Sequence, residues 1–423
     1  MRVLWIAPNG GNYKNGKVTG TGGWIGALQE ELTDRYVDLE LGIAFSSSES
    51  EPLVDKNVTY YPLKIQRGIS KLQKAVDFIC LTEHKKEEHF CKEIERVIDD
   101  FNPDIIHVWG VENTYAAVIP ELKKPFVVHI QGLLSLYIYI YMPPAFSLYD
   151  IKCADPWWKP ITWAKKLLHV TNFDSYKYAE YRAERELKVA KSVKNWIGRT
   201  EWDRIASEML SPKSNYYHCD ELMRKDFLQD KWQYHFNGKT VKIHSTISAG
   251  WYKGLDIVLK TAEVLKRQSV EIEWNVYGIP RNDNLAIYFI NKFGINPEDV
   301  GVKLHGHVTG DVIRDSLISS DVFVHPSYIE NSSNSIAEAM LMGVPTIAQY
   351  VGGNPSMLRD ESGILVQPDS PYILADAILK MTNKGTAEKY SSQALMVSSQ
   401  RQDSQVITSN LYSIYERILE QAK

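Results

Sequence analysis

Short apolar runs alternate with amphipathic stretches along the chain, and this alternation restricts the fold more than any other feature of the sequence. Apolar runs of this length between turn residues are typical of buried strands, and the intervening stretches have a helical period. Such a strand–helix rhythm predicts a parallel sheet with helices on both faces. In the first half, the predicted strands are Val3–Ala7, Leu39–Phe45, Ile105–Val108 and Phe126–Ile130, and the clearest helices are Trp24–Leu32 and Phe90–Phe101.

The rhythm pauses at Ser211–Gly238, which is polar and rich in turn residues, and then resumes. The further predicted strands are Val241–Ser245, Val270–Tyr277, Val302–Leu304, Val322–His325 and Thr346–Ala348. A length of 423 residues also fits two domains. We therefore expect two doubly wound, Rossmann-like α/β domains over 1–215 and 216–403, facing each other across a cleft, with ligands at the carboxyl ends of the strands. The last helix, 404–423, could complete either domain or return to the first.

The composition is that of an ordinary globular protein. Hydrophobic residues make up 44%, charged residues 24%, and the net charge of −4 gives no indication of nucleic-acid binding. The four cysteines form no C-x-x-C pair and no metal-ligand spacing with the histidines. The sequence starts directly with a strand, without a leader, and no apolar run reaches the ~20 residues of a membrane span. These observations favour a cytoplasmic location.

The most informative motif is a pair of glutamates eight residues apart, Glu330 and Glu338, where a strand runs through a loop into a helix. The helix start, within Asn331–Ser335, offers backbone N–H groups that suit an anion such as a diphosphate. Carboxylates accept hydrogen bonds from sugar hydroxyls. The alternative interpretation is an N-capped helix whose acidic residues complement the helix dipole.

This segment resembles the E-x7-E signature of the retaining glycosyltransferases of family 4, which have the GT-B fold of two facing Rossmann-like domains. The resemblance covers nearly all of the second half, while the first half matches more loosely, in its Gly-rich loop and strand order. The other motifs that fall in family order are Lys253-Gly254, Val276-Tyr-Gly278, Leu304-His-Gly306, Ser320–Ser327, Gly343–Ala348, Val351-Gly-Gly353 and Gly363–Asp369.

The resemblance implies a role for each of these residues. Glu338 would accept the ribose hydroxyls of the nucleotide, and Glu330 would contact the transferred sugar. Lys253 would neutralise the departing diphosphate, as charge accumulates on that leaving group. The remaining donor-binding candidates of this half are Asn334, Ser335 and Ile336 at the helix start, and Gly278.

The sequence departs from the family at two places. Many relatives carry an arginine five residues before the lysine, where this chain has Ser248. Arg199, in Ile197-Gly-Arg-Thr200, is the candidate replacement for that cation, against the alternative of a surface arginine. The acidic residue that often follows the Gly-Gly pair is also absent from Gly353–Ser356, which leaves the local donor contacts open.

The first half contributes two further candidates. Gly22-Gly23 lie between the first strand and a helix, where glycines let backbone approach a ligand, although an ordinary βα loop would look similar. His129 ends a strand, and the resemblance puts a histidine near here beside the donor phosphate and the reacting centre; the alternative is a core histidine. The chain has no D-x-D motif. We expect no essential metal and no cofactor apart from the donor.

An aromatic and basic segment, 133–168, contains three Trp and three Lys within Asp155–Leu168. It could lie at a membrane interface, line an acceptor groove or form a packed helical insert. The resulting hypothesis is a retaining, metal-independent glycosyltransferase of hexosyltransferase type. It would move a sugar from a UDP- or GDP-sugar to a hydroxyl of a glycan or lipid-linked glycan in surface polysaccharide assembly, with peripheral contact to the inner membrane face. The alternatives are a sugar-nucleotide hydrolase or epimerase on the same fold, and a non-catalytic nucleotide-sugar-binding protein.

Overall fold

The computed structural model describes residues 1–15, 23–47, 51–64, 81–155, 163, 165–166 and 171–423. The described chain divides into two compact units. The first unit comprises Met1–Ile138, Asp155–Leu222 and Asp403–Lys423. The second comprises Tyr139–Ala154 and Met223–Gln402.

The strands are those of two open α/β sheets. In chain order they are β1 (Arg2–Ala7), β2 (Glu40–Ser47), β3 (Leu53–Asp55), β4 (Val58–Lys64), β5 (Ile105–Trp109), β6 (Phe126–His129), β7 (Asn195–Gly198), β8 (Asn215–His218), β9 (Thr240–Thr246), β10 (Glu271–Tyr277), β11 (Val302–Gly306), β12 (Val322–His325), β13 (Thr346–Gln349) and β14 (Ile364–Val366).

The helices lie mostly between successive strands, as parallel sheets require. They are α1 (Gly23–Arg35), α2 (Leu81–Phe101), α3 (Leu134–Tyr137), α4 (Leu148–Cys153), α5 (Asn172–Ala190), α6 (Glu201–Leu210), α7 (Leu255–Arg267), α8 (Asn284–Phe293), α9 (Gly310–Ile318), α10 (Asn334–Leu341), α11 (Asn354–Met357), α12 (Pro371–Lys380), α13 (Lys384–Arg401) and α14 (Ser404–Gln421). None of the helices in the described ranges is long and apolar enough to cross a membrane.

The sheet of the first unit has the order β3-β4-β2-β1-β5-β6-β7-β8. Its strand pairs are parallel except for the antiparallel edge pair β3–β4. Strands β1, β5 and β6 are almost completely buried, which is expected where helices cover both faces. The sheet of the second unit is parallel throughout, in the order β11-β10-β9-β12-β13-β14. The prediction of two doubly wound parallel-sheet domains is confirmed.

The last helix of the chain belongs to the first unit. On α14, the hydroxyl of Tyr415 lies 3.1 Å from Nε1 of Trp5 in β1 and 2.6 Å from Nδ1 of His107 in β5. Tyr412 stacks on Tyr36 with ring centroids 4.0 Å apart. These contacts attach the end of the chain to the centre of the first sheet.

The divisions of the structure differ from the predicted boundaries at one important place. Residues 139–154 fall within the predicted N-terminal domain, whereas the structure groups them with the second unit. The physical reason is packing: Phe146 stacks on Phe289 and meets Trp251 edge-on, with ring centroids 4.6 and 5.3 Å apart. The carboxylate of Asp150 also bonds to Tyr288 at 2.7 Å and to Lys292.

Candidate functional site

The central strands of the second sheet define where this unit can bind a ligand. From β9, the chain continues to β10 on one side, whereas β12 lies on the other side of β9. Such a reversal of strand order opens a crevice at the carboxyl ends of the two strands. Strand β9 leads to the turn Trp251–Lys253, and β12 leads to the loop before α10.

Lys253 and Glu330 meet at this crevice. The Nζ atom of Lys253 lies 2.8 Å from Oε2 of Glu330, and the two side chains are 19% and 14% exposed. The backbone N–H of Tyr328 donates to the carbonyl of Tyr252 at 2.8 Å, which holds the two loops side by side. Gly254, at a φ of 84°, packs so closely on Pro326 that a Cβ atom would lie 2.0 Å from the Pro326 carbonyl oxygen.

The Gly-Gly pair of the next loop lies directly against the backbone of Glu330. The N–H of Gly353 donates to the Glu330 carbonyl at 2.8 Å. A Cβ atom on Gly352 would lie 1.8 Å from the same carbonyl oxygen. Gly352, at a φ of 50°, is therefore required by the close approach of the loops, which fixes the backbone of Glu330.

The environment keeps Lys253 charged and His325 neutral. Burial lowers the pKa of Lys253, but the carboxylate of Glu330 more than offsets this, so the pKa lies above its ordinary value. Burial also lowers the pKa of His325 to about 4, although Glu330 opposes that shift. The Nε2 atom of His325 lies 3.7 Å from Oε2 of Glu330. Glu330 therefore has a cation and a neutral imidazole beside the same oxygen.

A buried network below this pair anchors the loop. The hydroxyl of Tyr328 lies 2.8 Å from Oδ2 of Asp256 on α7 and 3.1 Å from Oδ1 of Asp369. Lys260, one turn along α7, bonds to Asp256 at 3.1 Å. The side chain of Asp256 is fully buried, and a buried carboxylate requires hydrogen-bond partners. The network therefore ties the Glu330 loop to α7.

Glu338, on α10, pairs with an arginine that sequence reasoning did not single out. The Nη2 atom of Arg224 lies 2.9 Å from Oε1 of Glu338, and the carboxylate side chain is 12% exposed. Burial raises the pKa of Glu338, and Arg224 opposes the shift. Glu338, the fifth residue of α10, is therefore a largely buried carboxylate that depends on one cation for charge compensation.

The start of α10 is capped from within. Ser333 is the N-cap, and its Oγ accepts from the N–H of Ile336 at 3.5 Å and lies 3.0 Å from Oγ of Ser335. Asn334 is the first residue of the helix. The amide of Ile336 already has a hydrogen-bond partner in its own N-cap residue. This agrees with the alternative interpretation of the serine-rich segment as an N-capped helix start.

Gly278, at the end of β10, has a φ of 97°. A Cβ atom there would lie 2.3 Å from the carbonyl oxygen of Ile247, so the glycine lets the end of β10 pack on the loop after β9. This is a structural requirement for the crevice. Within the described ranges, no group of three or more His, Cys, Asp or Glu side chains is arranged to hold a metal ion.

His129 belongs to the first unit, in an aromatic cluster at the carboxyl ends of β5 and β6. Its ring stacks on Trp109 and His107, with centroids 4.6 and 5.4 Å away. Both ring nitrogens are buried without a hydrogen-bond partner among the described residues. Burial, with nearby His107 and Arg199, holds the pKa of His129 well below its ordinary value. The imidazole is therefore neutral, and its polar atoms are unsatisfied.

Arg199 is an internal residue of the first unit. Its side chain is 3% exposed, its Nη2 donates to the Ile130 carbonyl at 3.1 Å, and its Nε lies 3.5 Å from Glu221. Burial lowers its pKa, but Glu221 and Asp203 more than offset this. The alternative of a surface arginine is wrong, and the guanidinium already has internal partners where the sequence suggested a diphosphate contact.

The remaining sequence candidates are only partly within the described residues. Gly23 begins α1. Gly22 lies outside the described residues, and so does most of Asp155–Leu168. In the described part of 133–168, Tyr137 is buried, whereas Tyr139, Tyr149 and Trp163 are largely exposed.

The second unit carries a glycosyltransferase domain. Residues 239–384, which include Lys253, Glu330 and Glu338, match the model of the family described as glycosyl transferases group 1. Arg224 lies outside the matched stretch, and no motif in its sequence neighbourhood indicated it. The fold of the chain is GT-B, as in the solved structures it resembles.

Three relatives illustrate these similarities. TuaC of Bacillus subtilis (strain 168), assigned to teichuronic acid biosynthesis as a glycosyltransferase, is 37% identical over 92 residues; the match spans 21% of this chain and 24% of TuaC. Sucrose-phosphate synthase from Thermosynechococcus elongatus aligns with a TM-score of 0.72 at 13% identity, over 99% of both chains. Anabaena HepE, in complex with UDP and glucose, aligns with a TM-score of 0.61 at 14% identity, over 99% of this chain and 100% of HepE.

Proposed function

We propose that the protein transfers a sugar from a nucleotide-sugar donor to a hydroxyl of a glycan or lipid-linked glycan, with retention of the anomeric configuration. The single observation that carries this proposal is the Lys253–Glu330 pair at the crevice of a group 1 glycosyltransferase domain. A fixed ammonium there suits a departing diphosphate, and a fixed carboxylate beside it suits sugar hydroxyls.

Binding of the donor would use both glutamates of α10 and its loop. Glu338 would accept the ribose hydroxyls, and Glu330 would accept hydroxyls of the transferred sugar. The backbone at Asn334 and Ser335 would lie near the diphosphate, where the positive end of the helix dipole favours an anion. The UDP and glucose in the HepE structure support a uridine nucleotide, and guanosine is the second base to test.

The reaction follows from this arrangement. The bond between the anomeric carbon and the diphosphate oxygen breaks, and the acceptor oxygen forms its bond to the anomeric carbon from the same face. The acceptor proton passes to the departing phosphate oxygen, so that no carboxylate serves as the base. Lys253 stabilises the charge of the leaving group. His129 would assist near the reacting centre, and the scheme uses neither a metal ion nor a cofactor.

The assignment to surface polysaccharide assembly rests on the likeness to TuaC over 92 residues. A lipid-linked acceptor would bring the protein to the inner face of the membrane from the cytoplasm. The exposed aromatic side chains Tyr139, Tyr149 and Trp163 support such peripheral contact, since aromatic rings favour the headgroup region. Co-sedimentation with vesicles containing an anionic lipid tests this point; a protein that stays wholly in the supernatant would contradict it.

A donor screen tests the proposed function. The protein is melted with UDP-sugars, GDP-sugars and the free nucleoside diphosphates, and the cognate donor should raise Tm because binding to the folded state stabilises it. Glu338→Ala should abolish the shift. Glu361→Ala is the matched control, because Glu361 forms an exposed pair with Lys389, and it should keep the full shift.

Product analysis separates the proposal from its alternatives. Transfer to a glycan acceptor supports the proposal if the product has the same anomeric configuration, α or β, as the donor. Hydrolysis of the donor without transfer to any acceptor would favour a sugar-nucleotide hydrolase. A wild-type protein that binds no nucleoside diphosphate would exclude a nucleotide-sugar enzyme altogether.

A further inference from the structure

Arg224 lies in the segment that begins the second unit, and its side chain occupies a site shaped for it. The guanidinium carbon lies 5.0 Å above the ring of Phe227, which is fully buried. Nη1 lies where α9 begins, since a Cβ atom on Gly310 would be 2.8 Å from it. Nη2 reaches Oε1 of Glu338. An aromatic face, a glycine and a carboxylate thus define one position for the guanidinium.

Anchoring of the segment does not depend on Arg224. The N–H of Met223 donates to Gln402 at 2.8 Å. Further along, the N–H of Trp232 donates to the Met342 carbonyl at 2.7 Å, its indole donates to Ser320, and Lys231 donates to the Leu341 carbonyl. These bonds attach the segment on both sides of Arg224. The ion pair between Arg224 and Glu338 is therefore not needed to hold the segment in place.

The ion pair occupies one side of the Glu338 carboxylate. Arg224 bonds to Oε1, and among the described residues the structure gives Oε2 no hydrogen-bond partner. The Glu338 side chain is nearly buried, while Arg224 is 30% exposed. A guanidinium at one oxygen orients the carboxylate and favours its ionised form, and the second oxygen can accept from a neutral O–H donor.

We infer that Arg224 is a positioning residue of the nucleoside site, which orients Glu338 so that its second oxygen accepts a ribose hydroxyl and the protein selects ribonucleotides over nucleotides that lack those hydroxyls. This inference rests on the proposed function, in which Glu338 binds the ribose. Arg224 would thus help to select the sugar of the nucleotide, although it lies outside residues 239–384, which match the family model.

Comparison of UDP and GDP with their 2′,3′-dideoxy analogues tests the inference. The wild-type protein should bind the ribonucleotide about 10- to 100-fold more tightly, as a hydrogen bond to an ionised partner would give. Arg224→Met should lose most of this preference, because it should weaken binding of the ribonucleotide and leave binding of the dideoxy analogue nearly unchanged. Arg224→Lys should restore part of it, because the ammonium keeps the charge without the planar fork.

Two further variants separate positioning from a general loss of structure. Gly310→Ala keeps Arg224 but puts a methyl group against its guanidinium, and it should reduce the ribose preference while Tm stays near the wild-type value. Arg267→Met removes an exposed arginine that pairs with Glu263 on α7, and it should leave the preference unchanged.

The outcomes are distinct. The positioning role would be overturned if Arg224→Met bound the ribonucleotide and the dideoxy analogue more weakly by the same factor, or if it kept the wild-type preference. Either result would leave the proposed function intact. A wild-type protein that binds neither UDP nor GDP would overturn both. A reduced preference in Arg224→Met and Gly310→Ala, with Arg267→Met unchanged, would establish it.

Discussion

Lys253 and Glu330 are 77 residues apart in the chain, yet the ammonium of one lies 2.8 Å from the carboxylate of the other. The two side chains form an ion pair in the structure. A diphosphate that binds Lys253 would therefore compete with Glu330 for the ammonium. The two partners would then be coupled: binding of the anion to Lys253 would release the Glu330 carboxylate toward the sugar.

Lys253→Met should reduce the rate of sugar transfer by about 100- to 1000-fold, as expected when one preorganised donor to a developing negative charge is removed. The measurement is kcat with the cognate donor and acceptor. Lys389→Met, at an exposed ion pair with Glu361, is the control and should retain the wild-type kcat. A Lys253→Met enzyme within twofold or so of wild type would contradict the role of Lys253.

Two glycines with nearly the same backbone conformation should differ sharply when changed to alanine. Gly238, at a φ of 80°, has no described heavy atom within 4 Å of a Cβ atom, so Gly238→Ala should cost only the ~1–2 kcal/mol of a left-handed alanine. Gly254→Ala adds a collision with the Pro326 carbonyl and should cost clearly more, and it should weaken nucleoside diphosphate binding. Urea unfolding and a binding titration measure the two effects. Equal destabilisation by the two changes would contradict the close packing of the loops.

The pH dependence of stability should report the buried histidines. Burial lowers the pKa of His244 to about 3, from an ordinary value of 6.5. The folded state therefore keeps His244 neutral, while the unfolded chain takes up a proton below pH 6.5, so its contribution is present above that pH and is lost as the pH falls. Buried carboxyls act in the opposite direction: burial raises the pKa of Glu112 to about 7.

Comparison with His244→Gln isolates the histidine, because the carboxyl contributions cancel in the difference. Glutamine keeps a donor and an acceptor for Ser316 and Thr246, the hydrogen-bond partners of the imidazole. Between pH 6.5 and 4.5, the free energy of unfolding of the wild type should fall relative to the variant by about 1.4 kcal/mol per pH unit. Parallel curves would show that His244 titrates normally in the folded protein.

Tyr415→Phe should destabilise the first unit by about 2–4 kcal/mol, because it leaves Trp5 Nε1 and His107 Nδ1 buried without their partner. The control is Tyr412→Phe on the same helix, whose stacking on Tyr36 does not need the hydroxyl and whose cost should stay within about 0.5 kcal/mol. Thermal unfolding followed by tryptophan fluorescence measures both. A similar Tm for the two variants would contradict the hydrogen-bonded role of Tyr415.

The sequence predicted nine of the fourteen strands that the structure describes, since a strand buried on both faces, such as Val322–His325, has an uninterrupted apolar run. The partly exposed strand Asn215–His218 lacks such a run and lies in the polar stretch that was interpreted as a linker. Glu330, Glu338 and Lys253 were singled out because the E-x7-E spacing and the order of the neighbouring motifs, which resemble the family, are visible along the chain. Arg224 was missed because its pairing with Glu338 is a long-range contact.

Arg199 shows the limit of reasoning from chain position alone. It follows a strand of the first sheet, as a ligand-binding cation would, but Glu221 and the Ile130 carbonyl engage it inside the unit. Similarly, the short aromatic stretch around Phe146 gave no sign that it packs on Trp251 and Phe289, because aromatic composition does not specify a partner.

The bond from Tyr415 to Trp5 spans 410 residues, and this has a consequence for biosynthesis. As the chain is translated, the first sheet can form while the second unit is still being made, but Trp5 and His107 lack their buried partner until α14 leaves the ribosome. The nascent first unit is thus incomplete until the 410 residues from Trp5 to Tyr415 have been made. Premature release of the chain would leave an exposed aromatic and imidazole surface, which is a recognition signal for chaperones and proteases.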